Sequence, residues 1–152
     1  MGRTSPSGAE WVAIDPEDSI ITATIGDVAT GTAFTPDGNT YIAGGVALAP
    51  KFAVIDHATS GDNTIVAATS GYKIRVLSVT LVATGTVNVR FESGASGTAL
   101  TGVINLVANT GFSAAASPWG HFETAGGQLL NLELSGATSV DGWLTYVLVP
   151  AS

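Results

Sequence analysis

The sequence predicts an all-β protein: a two-sheet antiparallel β-sandwich, jelly-roll-like, with an extended N-terminal arm. Three observations carry that expectation. From Lys51 onward turn residues recur at short intervals, as at Ser60-Gly61-Asp62, Ser70-Gly71, Thr84-Gly85, Ser93-Gly94-Ala95-Ser96-Gly97, Ala125-Gly126-Gly127 and Ser135-Gly136. Such punctuation bounds short strands. Two segments then alternate cleanly, with Val87, Val89 and Phe91 set against Asn88, Arg90 and Glu92, and Leu130, Leu132 and Leu134 set against Asn131 and Glu133. Successive side chains of a strand point to opposite faces, so this period marks strands with one face in a core. Finally, no segment holds apolar residues at helical spacing beyond a turn or two.

The elements follow in order. Residues 1–49 read as an extended, partner-binding arm, with short β-prone pieces at 10–15 and 19–25 separated by the acidic turn Asp15-Pro16-Glu17-Asp18. A further turn, Pro36-Asp37-Gly38-Asn39, follows, and Gly44-Gly45 and Pro50 mark the boundary with a sandwich domain over 50–152. Glu10-Trp-Val-Ala-Ile-Asp15 echoes Lys51-Phe-Ala-Val-Ile-Asp56, a match too short to be a repeat. Within the domain, strands are expected at 51–56, 63–69, 72–83, 86–92, 99–106, 111–115, 119–124, 128–134 and 142–149. Two of these break the inside/outside rule: the runs from Ile74 to Val82 and from Trp143 to Val149 are apolar on both faces. A strand of that kind needs cover outside its sheet, from the arm or from a second subunit.

Composition sets limits on function. Charged residues are 11% of the chain, against about 25% in ordinary soluble domains. Hydrophobic residues are 45%, and mean hydropathy is +0.39. With so few charges to coat the outside, some weakly polar surface is expected to meet another chain. The net charge is −7, and the cations are Arg3, Lys51, Lys73, Arg75 and Arg90, scattered rather than clustered. A phosphate-binding protein needs a basic face, so no nucleic-acid partner is expected. There is no cysteine, which removes disulfides and thiolate metal sites. No apolar run approaches the roughly 20 residues that cross a bilayer, and the Met-Gly-Arg-Thr-Ser-Pro-Ser-Gly start lacks the apolar stretch of a secretion signal. Synthesis in the cytoplasm and no membrane partner are therefore expected.

A search for catalytic chemistry finds no constellation. There is no GxxxxGK[ST] phosphate loop and no GxSxG elbow. His57 adjoins Asp56, and alternation would set His121 and Glu123 on one strand face, but two histidines fall short of a zinc ligand set. The H-x-E spacing of zinc deaminases needs a downstream cysteine pair, which the chain lacks. Asp15, Glu17 and Asp18 lack the glycine and terminal glutamate of a calcium-binding loop, and Asp62-Asn63 reads as a turn pair bonding to backbone. The chain is accordingly expected to be no enzyme and to hold no cofactor or metal. Trp119, Trp143, Tyr146 and Tyr72 could stack on sugar rings, although such aromatics more often anchor cores and interfaces.

The run Val54-Ile-Asp-His-Ala-Thr-Ser-Gly-Asp-Asn-Thr-Ile-Val66 is followed by Gly71-Tyr-Lys-Ile-Arg-Val-Leu-Ser78. Beyond it come Val87-Asn-Val-Arg-Phe91, Leu100-Thr-Gly102, Asn109-Thr-Gly-Phe112, Pro118-Trp-Gly-His-Phe-Glu-Thr124 and Gly142-Trp-Leu-Thr-Tyr146. Over about residues 51–150 this wording resembles small tailed-phage virion proteins with a β-sandwich domain, found as capsid decoration (cement) proteins and in tail or fibre components. The resemblance implies a decoration protein seated on the outer surface of the capsid, with the major capsid protein and two further copies of itself, as a homotrimer, for partners. The alternative it implies is a tail or fibre module binding host-surface glycans. The residues expected at partner contacts are Trp11, Ile14, Ile21, Ile25, Phe34 and Tyr41 of the arm, with Leu77, Val79 and Trp143 of the two-faced strands.

Overall fold

A computed structural model describes residues 41–43 and 46–151. Among them the chain forms strands and turns and no helix. The strands are β1 (Tyr41–Ala43), β2 (Val46–Leu48), β3 (Lys51–His57), β4 (Gly61–Val66), β5 (Tyr72–Ala83) and β6 (Val87–Ser93). They continue as β7 (Thr98–Ala99), β8 (Ile104–Leu106), β9 (Thr110–Ala114), β10 (Phe122–Glu123), β11 (Leu130–Leu134) and β12 (Val140–Pro150).

The pairing is that of one long antiparallel hairpin rolled on itself. From its open end to its tip, β3 pairs β12, β4 pairs β11, β5 pairs β9 and β10, and β6 pairs β7 and β8. Rolling this ladder brings β5 against β12 and β6 against β11. Two sheets result: sheet I, in the order β3-β12-β5 with β9 and β10 sharing the next lane, and sheet II, in the order β4-β11-β6 with β7 and β8 sharing the next lane. This is jelly-roll connectivity. The sandwich expected from the sequence is therefore present, and its strands lie close to the expected positions. The run expected over 99–106 is two strands because the chain leaves the ladder after Ala99, where Leu100 N–H still bonds Phe91 O and Thr101 Oγ1 accepts from Phe91 N–H.

The core lies between the sheets. Sheet I contributes Ile55, Ile74, Val76, Val79, Leu81 and Leu144, and sheet II contributes Val89, Phe91, Leu130, Leu132 and Leu134, each no more than 1% exposed. Phe91 of sheet II meets Phe122 of β10 with ring centroids 5.0 Å apart, joining the layers at one end. At the turn into β4, Asn63 Nδ2 donates to Thr59 O and Gly61 O at 2.8 Å each, as expected of a turn residue. In β12 the backbone of β5 comes so close at Gly142 that a Cβ there would stand 2.0 Å from Thr80 O, so only glycine fits.

The two strands that read as apolar on both faces have different explanations. In β5 the ladder to β12 skips one residue: Thr145 faces Ser78 and Tyr146 faces Val76, leaving Leu77 as a bulge. A bulge shifts the phase of alternation by one. Ile74, Val76, Val79, Leu81 and Ala83 therefore all face the core, and Leu77 leaves it. Val79, expected at a partner contact beside Leu77, is 1% exposed inside the sandwich. The bulge corrects that expectation. β12 keeps its phase and is apolar on both faces, with Leu144 in the core and Val147 and Val149 on the outer side. Leu48 of β2 covers that outer side, packing with Leu77, Val147 and Val149 in a second small core. The 49/50 boundary expected from sequence thus falls between β2, which is docked on the sandwich through Leu48, and β3.

This arrangement sets the outcome of charge insertion. The pair Ile74→Asp and Val76→Asp should unfold the domain, since both carboxylates would enter the sandwich core. Leu77→Asp with Val79→Asp should be as severe, because one charge enters the main core and the other goes beneath Leu48. Total stability of a domain is only about 5–15 kcal/mol. A cooperative thermal melt near the wild-type midpoint for either double variant would contradict the assignment.

Candidate interaction surface and carboxylate cluster

The outer face of sheet I divides into a covered and an open half. The covered half is the Leu48, Leu77, Val147, Val149 cluster. Next to it Val54 of β3 stands opposite Trp143 of β12, with Phe52 two pairs along facing Thr145. Phe52 is 79% exposed, Val54 72% and Trp143 57%, and Val82 of β5 is also open to solvent. Alternation along β3 and β12 turns these side chains away from the core by the same period that buries Ile55 and Leu144. Large apolar side chains grouped on one sheet face mark an interaction surface more than a solvated one. The border of the strip is charged: Asp56 and Asp141 stand opposite each other at one end, and Lys73, Arg75 and Glu123 form an ion-pair group near the other. β3 also forms one edge of its sheet, with β12 as its only ladder partner among the described residues. An edge of this kind offers backbone groups to another strand.

The outer face of sheet II is built differently. Alternation in β6 and β11 sends Arg90, Glu92, Asn131 and Glu133 outward, and their ladder sets Asn131 opposite Glu92 and Glu133 opposite Arg90. β4 adds Asp62 opposite Glu133. Arg90 donates to Glu92 Oε1 and, at 3.0 Å, to Glu133 Oε2. Asn131 Nδ2 donates to Asp62 Oδ1 at 2.6 Å and to Glu92 Oε2 at 3.2 Å. Asp62 also takes the Ser96 N–H at 2.7 Å and the Ser96 hydroxyl at 2.6 Å. Ser96 has φ +48°, a left-handed conformation unfavourable for a residue with a Cβ, and these two bonds hold it there. Glu92 and Asn131 are fully buried although they belong to an outer face.

Carboxylate oxygens of Asp62, Glu92 and Glu133 lie within 4.8 Å of one another. Two hydrogen bonds from Ser96 hold Asp62 below the usual aspartate range. For Glu92, burial opposes the charge, and the hydrogen bonds of Arg90 and Asn131 together with the Arg90 charge outweigh it, so its carboxyl also sits low. Glu123, on the other sheet, behaves alike: partial burial opposes its charge, and Arg75 and Lys73 overcome that. Asn131 Oδ1 is buried and has no partner among the described residues.

Of the residues expected at partner contacts, Trp11, Ile14, Ile21, Ile25 and Phe34 lie outside the described residues, and Tyr41 is described only as the first residue of β1. Leu77 is beneath Leu48, Val79 is in the core, and Trp143 is on the open strip. Phe52 and Val54 were not singled out from sequence, although the alternation of β3 against buried Ile55 carries the signal. The sugar-stacking candidates are not brought together in one surface: Trp119 is 85% exposed on the turn before β10, whereas Tyr146 packs against the main core. His121 and Glu123 take separate partners, the Ala115 carbonyl and the Lys73/Arg75 pair. The acidic cluster was not visible in the sequence, because its members come from three strands whose mutual register is set only by folding.

No protein-family model matches the chain, and no curated protein does. Among solved structures it is similar to a protein from the study "Bacillus endospore appendages form a novel family of disulfide-linked pili", at 19% identity and a TM-score of 0.45, over 69% of this chain and 89% of that one.

The lowered carboxylates make acid sensitivity predictable. A group whose folded pKa lies below its unfolded value adds stability above the unfolded value and loses it as pH falls through the folded one. For Asp62, Glu92 and Glu123 the unfolded references are 3.8, 4.5 and 4.5. The urea midpoint should therefore hold from neutral pH to about pH 5 and fall steadily below it. Glu123→Gln should lower the neutral-pH midpoint and reduce the fall. Equal slopes for variant and wild type would remove Glu123 from the explanation.

Proposed function

We propose that the chain is a non-enzymatic structural subunit: a decoration protein that binds the major capsid protein on the outer surface of a phage head, as a homotrimer. The observation that carries the assembly role is the open apolar strip of Phe52, Val54 and Trp143 beside the half of the same face that Leu48 covers. A chain with 11% charged residues has little means to keep such a strip solvated, and burial against another chain removes it from water. The resemblance of the wording over residues 51–150 to phage virion proteins is what favours a virion as that assembly. A ligand that binds only the intact shell shifts the rupture equilibrium toward it by mass action, which is how decoration would stabilise a head. A closed ring of three would cover three apolar strips at once. Phe52→Ser with Trp143→Ser should leave the thermal midpoint within a few degrees, since both side chains are exposed, and should shift light scattering from trimer toward monomer. A trimer unchanged by the double substitution would place the subunit contact elsewhere.

The arm is proposed as the second attachment device, through apolar burial and strand addition to a sheet edge. A chain beginning at Tyr41 retains β1 and β2 and should fold, yet bind purified heads at least about tenfold more weakly than the full chain. Equal binding would remove the arm from attachment. The exposure of Trp119 favours one second reading, a tail or fibre module stacking on host glycans. Copy number by gel densitometry of purified particles separates the two: hundreds of copies support decoration, and a few to tens support the tail.

A further inference from the structure

We propose that Trp119 is the counterpart of the open apolar strip: the Trp119 turn of one copy seats on Phe52, Val54 and Trp143 of the next. The inference rests on the reading of the chain as a homotrimer and names the contact that would close it.

Symmetry supplies the first argument. A surface that meets its own copy makes a two-fold contact, which closes at two subunits. A ring of three needs a heterologous contact, in which each strip meets a different surface of the neighbouring copy. Outside the strip, the large exposed hydrophobic side chains among the described residues are Tyr72, Val103, Val107 and Trp119. Val103 and Val107 flank β8 of sheet II, and Tyr72 is only 39% exposed. Trp119 is the largest of the four and, at 85%, the most exposed. It also stands where a ring requires it. The strip lies on β3 and β12 at one edge of sheet I, and Trp119 lies on the turn into β10, in the lane at the opposite edge. Each copy can therefore offer its strip to one neighbour and its tryptophan to the other.

The turn is built to hold that side chain out. Ser117-Pro118-Trp119-Gly120 is a β-turn closed by Gly120 N–H donating to Ser117 O at 3.1 Å. Serine first, proline second and glycine fourth is a preferred order for such a turn, and the proline ring fixes its own backbone angle. Both ends are tied to β5, Ser117 N–H to Leu77 O and His121 N–H to Val76 O, each at 2.9 Å. Gly120 has φ +78° and rests on Arg75, where a Cβ would stand 2.6 Å from Cγ. A side chain on a fixed turn loses little freedom when it docks, and tryptophan is among the residues most enriched at interface hot spots.

Charge agrees with this pairing. The strip is bordered by Asp56 facing Asp141, whereas Lys73 and Arg75 stand beside the turn and share one acid, Glu123. An acidic border meeting a basic one favours strip against turn over strip against strip. Sugar is the weaker fit for the same side chain. A sugar site needs polar groups placed to bond hydroxyls around its aromatic platform. Near Trp119, His121 Nε2 is 2.7 Å from the Ala115 carbonyl, and Glu123 is engaged by Lys73 and Arg75.

The test uses the full chain and light scattering at a concentration where the wild type is a trimer. Trp119→Ser should run as a monomer, with its thermal midpoint within a few degrees of wild type because the side chain is exposed. Trp119→Phe keeps an aromatic ring and should recover the trimer. The absence of cysteine lets the seat be mapped with introduced thiols. Val54→Cys and Ser117→Cys in one chain, treated with a short bis-maleimide, should give covalent dimers and trimers and nothing larger. Either substitution alone should give no linked species. If Trp119→Ser fails to fold, the cross-linking pattern decides. A monomeric wild type would overturn the proposal together with the homotrimer. A wild-type trimer that Trp119→Ser leaves intact would overturn the proposal alone and leave the turn to sugar stacking. Linked dimers from Val54→Cys by itself would show strips meeting each other, and overturn it as well. A monomeric Trp119→Ser without linkage in the double variant would seat the tryptophan elsewhere, with the same result.

Discussion

The β5–β12 ladder is the interaction on which the remainder of the molecule depends. It is the longest pairing, from Val140 opposite Ala83 to Pro150 opposite Tyr72, and it joins the two central strands of sheet I. β3 hangs on one side of it and β9 and β10 on the other. Its closeness at Gly142 and its single slip at Leu77 are structural necessities of different kinds. The glycine lets two backbones meet in mid-ladder. The slip sends one leucine out of the main core and creates the site on which Leu48 docks. A ladder joining residues so far apart in sequence pays its loop-closure entropy before its contacts form, so this protein is expected to fold slowly for its size.

The two outer faces of the sandwich solve the same problem by opposite means. Sheet I turns apolar groups outward, covering half of them with β2 and leaving Phe52, Val54 and Trp143 open. Sheet II turns acids and amides outward and then buries Glu92 and Asn131 among polar partners. On the first face burial of area supplies the free energy, which is non-directional and suits adhesion to another surface. On the second, directional hydrogen bonds and charge dominate, and these specify one geometry for the turn after β6. The few cations are used locally: Lys73 and Arg75 serve Glu123, and Arg90 serves the cluster.

Much of this was legible in the residues themselves. Alternation at 87–92 and 130–134 assigned both strands and both faces correctly, because a period of two is a local property of the backbone. Glycine and serine clusters placed nearly every turn for the same reason. Other features were not local. The bulge at Leu77 cannot be read from β5 alone, since it is a relation between β5 and β12, and missing it put Val79 on the wrong face. Asp62 looked like half of a turn pair with Asn63, and Asn63 does bond to the turn, while Asp62 instead reaches Ser96 and Asn131.

The sequence by itself therefore determined the fold class, the approximate position of the strands, the inward set of side chains in β6 and β11 and the shortage of charge. All of these follow from periodicity, turn chemistry and composition, which need no knowledge of neighbours. Only the tertiary structure decided which strands pair as the hairpin rolls, that Leu48 caps Leu77, Val147 and Val149, and that three acids from β4, β6 and β11 converge. Each of those is a question of register between segments distant along the chain. Register is chosen by the packing of all strands at once.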